Sequence, residues 1–233
     1  NNNTVTLSSS AVTGTMEAIC SANTAASAAV AGITIDISNN SVSGTLTGAG
    51  SDVTVTGIRN EFPCGMLAIT ANITKGNTSS ATSGGYVGIV NNAAVVTTVN
   101  ISNNQFGDAS TDAINFGAAV SGNVMAISNT GAAGTATLTI SNNSFTRFVH
   151  SMAATASYTF INSTASPASQ QILSNNFSGI SLNSSGAITG INSPALSVNK
   201  QINGNLFGGI TGGSGALTLI KTAGGTTMAD VNN

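Results

Sequence analysis

The groups able to do chemistry in these 233 residues are few: seven carboxylates, five Lys or Arg side chains, one His and two Cys. Glycoside hydrolysis needs two carboxyl groups within about 5–10 Å. The nearest candidates are Asp108 and Asp112, separated by Ala-Ser-Thr, and that spacing places them in one solvated turn. Glu61 lies two residues from Arg59, which reads as an ion pair on one face of a strand. His150 would need a nucleophile and an orienting partner. Its neighbour Ser151 points to the opposite face of a strand. The stretch from Gly208 to Gly215 has the glycines of a phosphate loop without a following Lys or helix, so it reads as turns. Two Cys and one distant His make no ligand set. The reading therefore expects no catalytic residue, no cofactor and no metal.

What must position side chains in this chain is a recurring phrase: an apolar residue, two variable residues, Asn, one variable residue, then a large apolar residue. It reads Ile37-Ser-Asn-Asn40-Ser-Val42, Ile101-Ser-Asn-Asn104-Gln-Phe106 and Ile140-Ser-Asn-Asn143-Ser-Phe145. It returns at Ile172, Asn175 and Phe177, and at Ile202, Asn205 and Phe207. Weaker copies place Asn60 before Phe62 and Asn123 before Met125. Counted on the second Asn, the units begin near 20 residues and lengthen to 32 and 30 toward the C-terminus. Two blocks also align without gaps, Ile33–Ile37 with Val53–Gly57 at an offset of 20, and Tyr158–Ile180 with Ile188–Ile210 at an offset of 30. Repetition on this scale predicts a solenoid.

Within a unit the pattern is β. Ile33-Thr-Ile-Asp-Ile37 and Ala136-Thr-Leu-Thr-Ile140 alternate apolar and polar with period two, and Gly, Ser, Asn and Thr fill the connections. The predicted fold is all-β, a single right-handed parallel β-helix of about 9 or 10 rungs stacked about 4.8 Å apart. Residues 1–233 form one domain, with irregular rungs over 1–32, clear repeats over 33–210 and an incomplete last rung over 211–233. Asn40, Asn60, Asn104, Asn123, Asn143, Asn175 and Asn205 are expected in one turn column. There Asn tolerates the left-handed conformation and its amide can bond to the next Asn. Phe62, Phe106, Phe145, Phe177 and Phe207 are expected to stack in the lumen. The phrase with Asn two residues before Phe, over most of 33–210, resembles the right-handed parallel β-helix superfamily, including bacterial surface and adhesin-type solenoids. The resemblance implies a fold and leaves the activity open, because that fold hosts polysaccharide lyases, tailspikes and autotransporter passengers alike.

The expected register tests the acids by column. Asp36 falls with Thr56, Asn100 and Thr139, Glu61 with Ser41, Gln105 and Ser144, and Asp108 with Gly44, Cys64 and Arg147. No column holds two acids. Cys20 and Cys64 are 44 apart, two units of 22, which places them at similar points of the coil and makes them a candidate disulfide. Two buried free thiols are the alternative.

Only 5% of residues are charged and the net charge is −2, so there is no basic face for nucleic acid. No apolar run is long enough for a membrane span. The chain opens Asn-Asn-Asn-Thr without a Met, as a mature product or fragment would, and its Ser, Thr and Asn content suits the cell exterior. The ends read as uncapped: a strand at Thr4–Leu7 opens the chain, and Asn233 falls 28 residues after Asn205, near the next ladder position. Such edges invite strand pairing. The expected function is therefore an extracellular structural solenoid whose partner is itself, head to tail, or neighbouring segments of a longer surface fibre. Thr4, Val5, Thr6, Leu7, Leu217 and Leu219 are the candidate subunit contacts, and Pro at Val5 would cut a donor at the free edge. The alternative is an adhesin or autotransporter-like passenger binding glycans or host surfaces, with Tyr158 as an aromatic platform. A polysaccharide lyase or hydrolase comes third.

Overall fold

A computed structural model describes residues 1–22, 28–48 and 52–223, and the backbone of 228–232. Within it the chain is an all-β parallel solenoid, and no described residue is helical. Sheet I holds Thr15–Ser21, Thr54–Asn60, Tyr86–Asn91, Val124–Asn129, Tyr158–Ser163, Ile188–Ser193 and Leu217–Thr222. Sheet II holds Thr34–Ser38, Cys64–Thr70, Val95–Ser102, Thr137–Ser141, Ser169–Leu173, Asn199–Asn203 and Met228–Asn232. Sheet III runs from Thr4–Ser9 through Ser41–Leu46, Ile73–Thr74, Gln105–Phe106, Ser144–Thr146 and Asn176–Ser178 to Leu206–Phe207. After Ser41–Leu46 this face splits, and a side branch continues as Asn77–Ser79 and Ile114–Phe116. A small sheet IV holds Val149–Ala154, Ile180–Ser184 and Ile210–Thr211.

One coil of chain visits sheets I, II and III in turn, so the described rungs number seven rather than nine or ten. The stack is about 30 Å tall at a spacing of about 4.8 Å. The true repeat is 30 to 39 residues, read between successive ladder Asn residues. The spacing near 20 arises because the chain turns at more than one Asn-bearing corner per coil, and a count on Asn alone mixes the corners. Thus Ile33–Ile37 runs into sheet II while Val53–Gly57 runs into sheet I, and their likeness is one of strand pattern only. The offset of 30 between Tyr158–Ile180 and Ile188–Ile210 is a full coil, and all four sheets pair in that register.

The core is built of columns. Val5, Val42, Thr74, Phe106, Phe145, Phe177 and Phe207 succeed one another in sheet III. The Phe rings stack with centroids 5.1, 4.7 and 4.7 Å apart and nearly parallel planes. Each strand of sheet I carries two successive inward residues, such as Phe160 and Ile161, both buried. Glycine serves that extra position beside the Phe stack: a Cβ on Gly88 would lie 2.4 Å from the Phe106 ring, and one on Gly190 2.6 Å from Phe207. Where Thr74 takes the place of Phe, Tyr86 fills the lumen from sheet I, its hydroxyl 2.7 Å from Thr74 Oγ1. Phe62 stands outside the stack. It is half-buried in the turn after Asn60, on the way into sheet II, while the Phe column belongs to sheet III.

Candidate assembly surfaces

The corner between sheets II and III is the Asn ladder. Its members are Asn3, Asn40, Asn72, Asn104, Asn143, Asn175 and Asn205. Each residue just before a ladder Asn has a left-handed backbone: Asn2, Asn39, Ala71, Asn103, Asn142, Ser174 and Gly204 have φ between 54° and 63°. That conformation turns the corner in two residues and brings the next Asn side chain inward. From Asn3 to Asn175, each ladder Asn then donates its backbone N–H and one Nδ2–H to Oδ1 of the Asn one rung on, at 2.9–3.2 Å. From Asn72 onward the other Nδ2–H reaches a backbone carbonyl of the preceding rung, as Asn104 does to Ile69 at 2.9 Å. The Asn-to-Asn bonds all run from one rung to the next in the C-terminal direction, so the ladder has a direction.

Asn60 belongs to a second ladder, at the corner between sheets I and II. It donates to Asn91 at 3.0 Å and Asn91 to Asn129 at 2.8 Å, and all three are fully buried. Beyond Asn129 this column changes to Ser163, Ser193 and Thr222. The shorter side chains leave room for polar residues of sheet II to reach the corner. Gln170 bridges Ser163 and Ser193 at 2.7 Å each. Lys200, wholly buried, gives its ammonium to the carbonyls of Ser193, Ala195 and Ala223. Its pKa is pulled down by burial. Asn123 is in neither ladder. It is exposed ahead of Val124–Asn129, and its carbonyl accepts from Tyr86 N–H. Asn72, absent from the sequence reading because Thr74 stands where Phe was expected, still carries the Ile69-x-x-Asn72 half of the phrase.

Apart from Lys200, the charged side chains of the described residues sit outside the coil. Arg59 bridges Glu17 and Glu61, Lys75 pairs with Asp108 at 2.6 Å, and Arg147 with Asp112 at 2.8 Å. Lys75 and the amides of Ser110 and Thr111 hold the Asp108 carboxyl well below the usual carboxylate range. The column of Asp36 contains Ala68, Asn100 and Thr139. Thr56 lies in sheet I. Glu61 lies outside the column of Ser41, Gln105 and Ser144, which belongs to sheet III. Cys20 and Cys64 are free. Cys20 is exposed on sheet I opposite Arg59, whereas Cys64 is buried opposite Val95 on sheet II, so the two corners again explain the false alignment. Burial raises both thiols above their ordinary pKa, and Glu17 adds to this at Cys20.

His150 is buried on sheet IV. Its Nδ1 lies 2.5 Å from Tyr158 Oη and its Nε2 3.3 Å from the Ala118 carbonyl, with the ring against Phe116. The neutral tautomer fits, Nε2–H donating to Ala118 and Tyr158 donating to Nδ1, and burial lowers the His pKa. Tyr158 is itself 1% exposed, so it cannot serve as a surface platform.

Exposed large apolar side chains collect at the two ends. Val12, Val30 and Met66 lie on the first two rungs, and Leu196, Val198, Leu206, Leu217 and Leu219 on the last two, with Met152 between. Leu206, Phe207, Leu219 and Ile220, with Asn205, line a hollow of about 340 Å³ at the C-terminal end. At the other end the hydrogen bonding of the edge strand Thr4–Ser9 has a phase. The carbonyls of Asn3 and Ser9 accept from Ser41 and Thr47, so odd-numbered residues address the next rung and Thr4, Thr6 and Ser8 address the free edge. Val5 and Leu7 are accordingly half-buried lumen residues, and Pro at Val5 would break an internal bond instead of a free one. Asn233 lies outside the described residues. Among the described residues no helix is long and apolar enough to cross a membrane. No family model, no curated protein and no solved structure matches the chain.

Proposed function

We propose that the protein is an extracellular structural β-solenoid, a subunit or a segment of a surface fibre whose rungs continue past both ends. The observation that carries this reading is the confinement of exposed large apolar side chains almost wholly to the two end regions. At the C-terminal end Leu206, Phe207, Leu219 and Ile220 line one hollow, and an exposed apolar patch marks a contact surface. The flanks of the stack offer polar, nearly uncharged columns, and three of their ion pairs are already satisfied. The edge strand Thr4–Ser9 supplies backbone groups ready for parallel pairing.

Light scattering and negative-stain electron microscopy of the purified chain test this. Rods much longer than the roughly 30 Å of one stack are expected. Thr6→Pro, which removes an N–H facing the free edge, should shorten them while leaving the interior rungs folded. Strict monomers at millimolar concentration, with Leu219→Cys modified as fast as a cysteine in an unfolded peptide, would overturn the reading.

A further inference from the structure

We propose that the outer face of sheet I binds a neutral polysaccharide, laid along the coil axis in a trough that the strands of this sheet form. The proposal is independent of the fibre reading above and gives a flank of the coil a ligand.

The trough follows from the pattern of sheet I. Two successive inward residues, such as Gly57 and Ile58 or Gly88 and Ile89, leave an outward residue on either side of them. A strand that sends two neighbours inward is locally bent, as at a bulge, and here its outer side is the concave one. The outward residues therefore form two columns with a furrow between them. One runs from Glu17 through Thr56 to Thr189, the other from Cys20 through Arg59 to Asn192. Their middle members are sheltered although they point away from the core: Thr56 is 5% exposed, Val87 8%, Val90 9% and Ser128 5%. Toward the N-terminal rungs the furrow opens into a pocket of about 230 Å³, lined by Thr15, Thr54, Thr56, Arg59, Val90 and Asn92.

The lining selects the ligand. Threonine hydroxyls and the Asn92 amide both donate and accept, as the hydroxyls of a sugar do. Asn92 Oδ1 accepts the Thr130 hydroxyl at 3.1 Å, which orients the amide and leaves its N–H groups to donate. Arg59 gives two of its nitrogens to Glu17 and Glu61, and its Nε has no partner among the described residues. Val90 sets an apolar floor between these polar groups, and a few polar groups around apolar surface are the make-up of a small-molecule site. Glu17, Arg59 and Glu61 sum to −1, which disfavours uronic acid chains, sulfated chains and nucleic acid. A peptide strand would need a free sheet edge, and Thr54–Asn60 is already paired on both sides.

The repeat makes the ligand a polymer. Past Met125 the columns are again polar and uncharged, Thr159 and Thr189 set against Asn162 and Asn192, and Asn192 donates to Asn162 at 2.8 Å. The same pair of groups recurs from rung to rung, about 4.8 Å apart. Like sites repeated along one axis fit a chain of like units.

The test is native affinity electrophoresis in gels cast with hydroxyethylcellulose, laminarin, glucomannan or dextran, with polygalacturonate and heparin as anionic comparators. At least one neutral polymer should retard the wild type, and neither anionic polymer should. Thr56→Val combined with Asn92→Ala removes a hydroxyl at constant volume and an exposed amide. It should weaken binding by about ten-fold or more, with the unfolding midpoint unchanged. Val90→Arg, which fills the pocket, should abolish retardation, whereas Thr137→Val on the exposed face of sheet II should leave it as it is. Retardation by none of the neutral polymers, by the anionic polymers alone, or equally in the wild type and the double variant would overturn the proposal. Each of these results leaves the fibre reading standing, because light scattering reads association separately.

Discussion

Truncating one rung of the ladder has a cost that can be worked from its bonds. In Asn104→Ala the side chain takes away the acceptor of Asn72 N–H and of one Asn72 Nδ2–H, both at 3.0 Å. It also removes the donor to the Ile69 carbonyl at 2.9 Å and the donor to Asn143 Oδ1 at 3.0 Å. Asn143 Oδ1 keeps the backbone N–H of residue 104. Two donors on the fully buried Asn72 are therefore orphaned, and a carbonyl loses a partner. Each unsatisfied buried group costs about 1–3 kcal/mol, so the expected loss is about 3–5 kcal/mol. A water drawn into the space would bring it toward the lower figure. Against a whole-domain stability of about 5–15 kcal/mol this is large. Urea unfolding measures it, and hydrogen exchange at the Asn72 amide locates it. Asn123→Ala, on an exposed residue outside both ladders, should change stability by less than about 0.5 kcal/mol. If Asn104→Ala is as mild as that control, the ladder does not hold the coil in the way argued.

Ala71 is exposed and left-handed where its column otherwise offers Asn, Ser or Gly, so Ala71→Asn should stabilise by about 0.5–1 kcal/mol in urea melts. A loss of stability would mean the turn tolerates Ala at no cost. Phe145, fully buried between Phe106 and Phe177, should cost about 3–5 kcal/mol when cut to Ala, read as a shift of the unfolding midpoint. His150 has a folded pKa below its ordinary value of 6.5, so the unfolded chain takes up protons first as pH falls. Its contribution is complete above about pH 6.5 and is lost as pH drops from there toward the folded pKa. The wild type should weaken as pH falls below about 6.5, and His150→Gln should remove that slope. An identical slope in both would exclude His150 as its source.

The six-residue phrase was enough to specify the local chemistry. Ile, Asn and Phe at fixed short spacing encode an inward strand residue, a two-residue corner and an inward ring. All of these are set by backbone conformation and side-chain alternation within one turn. That is why Asn40, Asn104, Asn143, Asn175 and Asn205 were legible, with Phe106, Phe145, Phe177 and Phe207. Tertiary structure alone decided which corner a given Asn serves. Asn60 and Asn104 look alike locally, but one ends a strand of sheet I and the other a strand of sheet II. The number of residues the intervening loops consume separates them, and loop length costs little free energy and leaves little mark on composition. The same ambiguity raised the expected rung count to nine or ten, against seven described, and misaligned Cys20 with Cys64. It hid Asn72, whose missing Phe is replaced across the lumen by Tyr86, 12 residues further on. The direction of the ladder was also beyond the sequence, because an Asn side chain can donate or accept. Only the stacked rungs, each taking its hydrogen-bond sense from its neighbour, choose one.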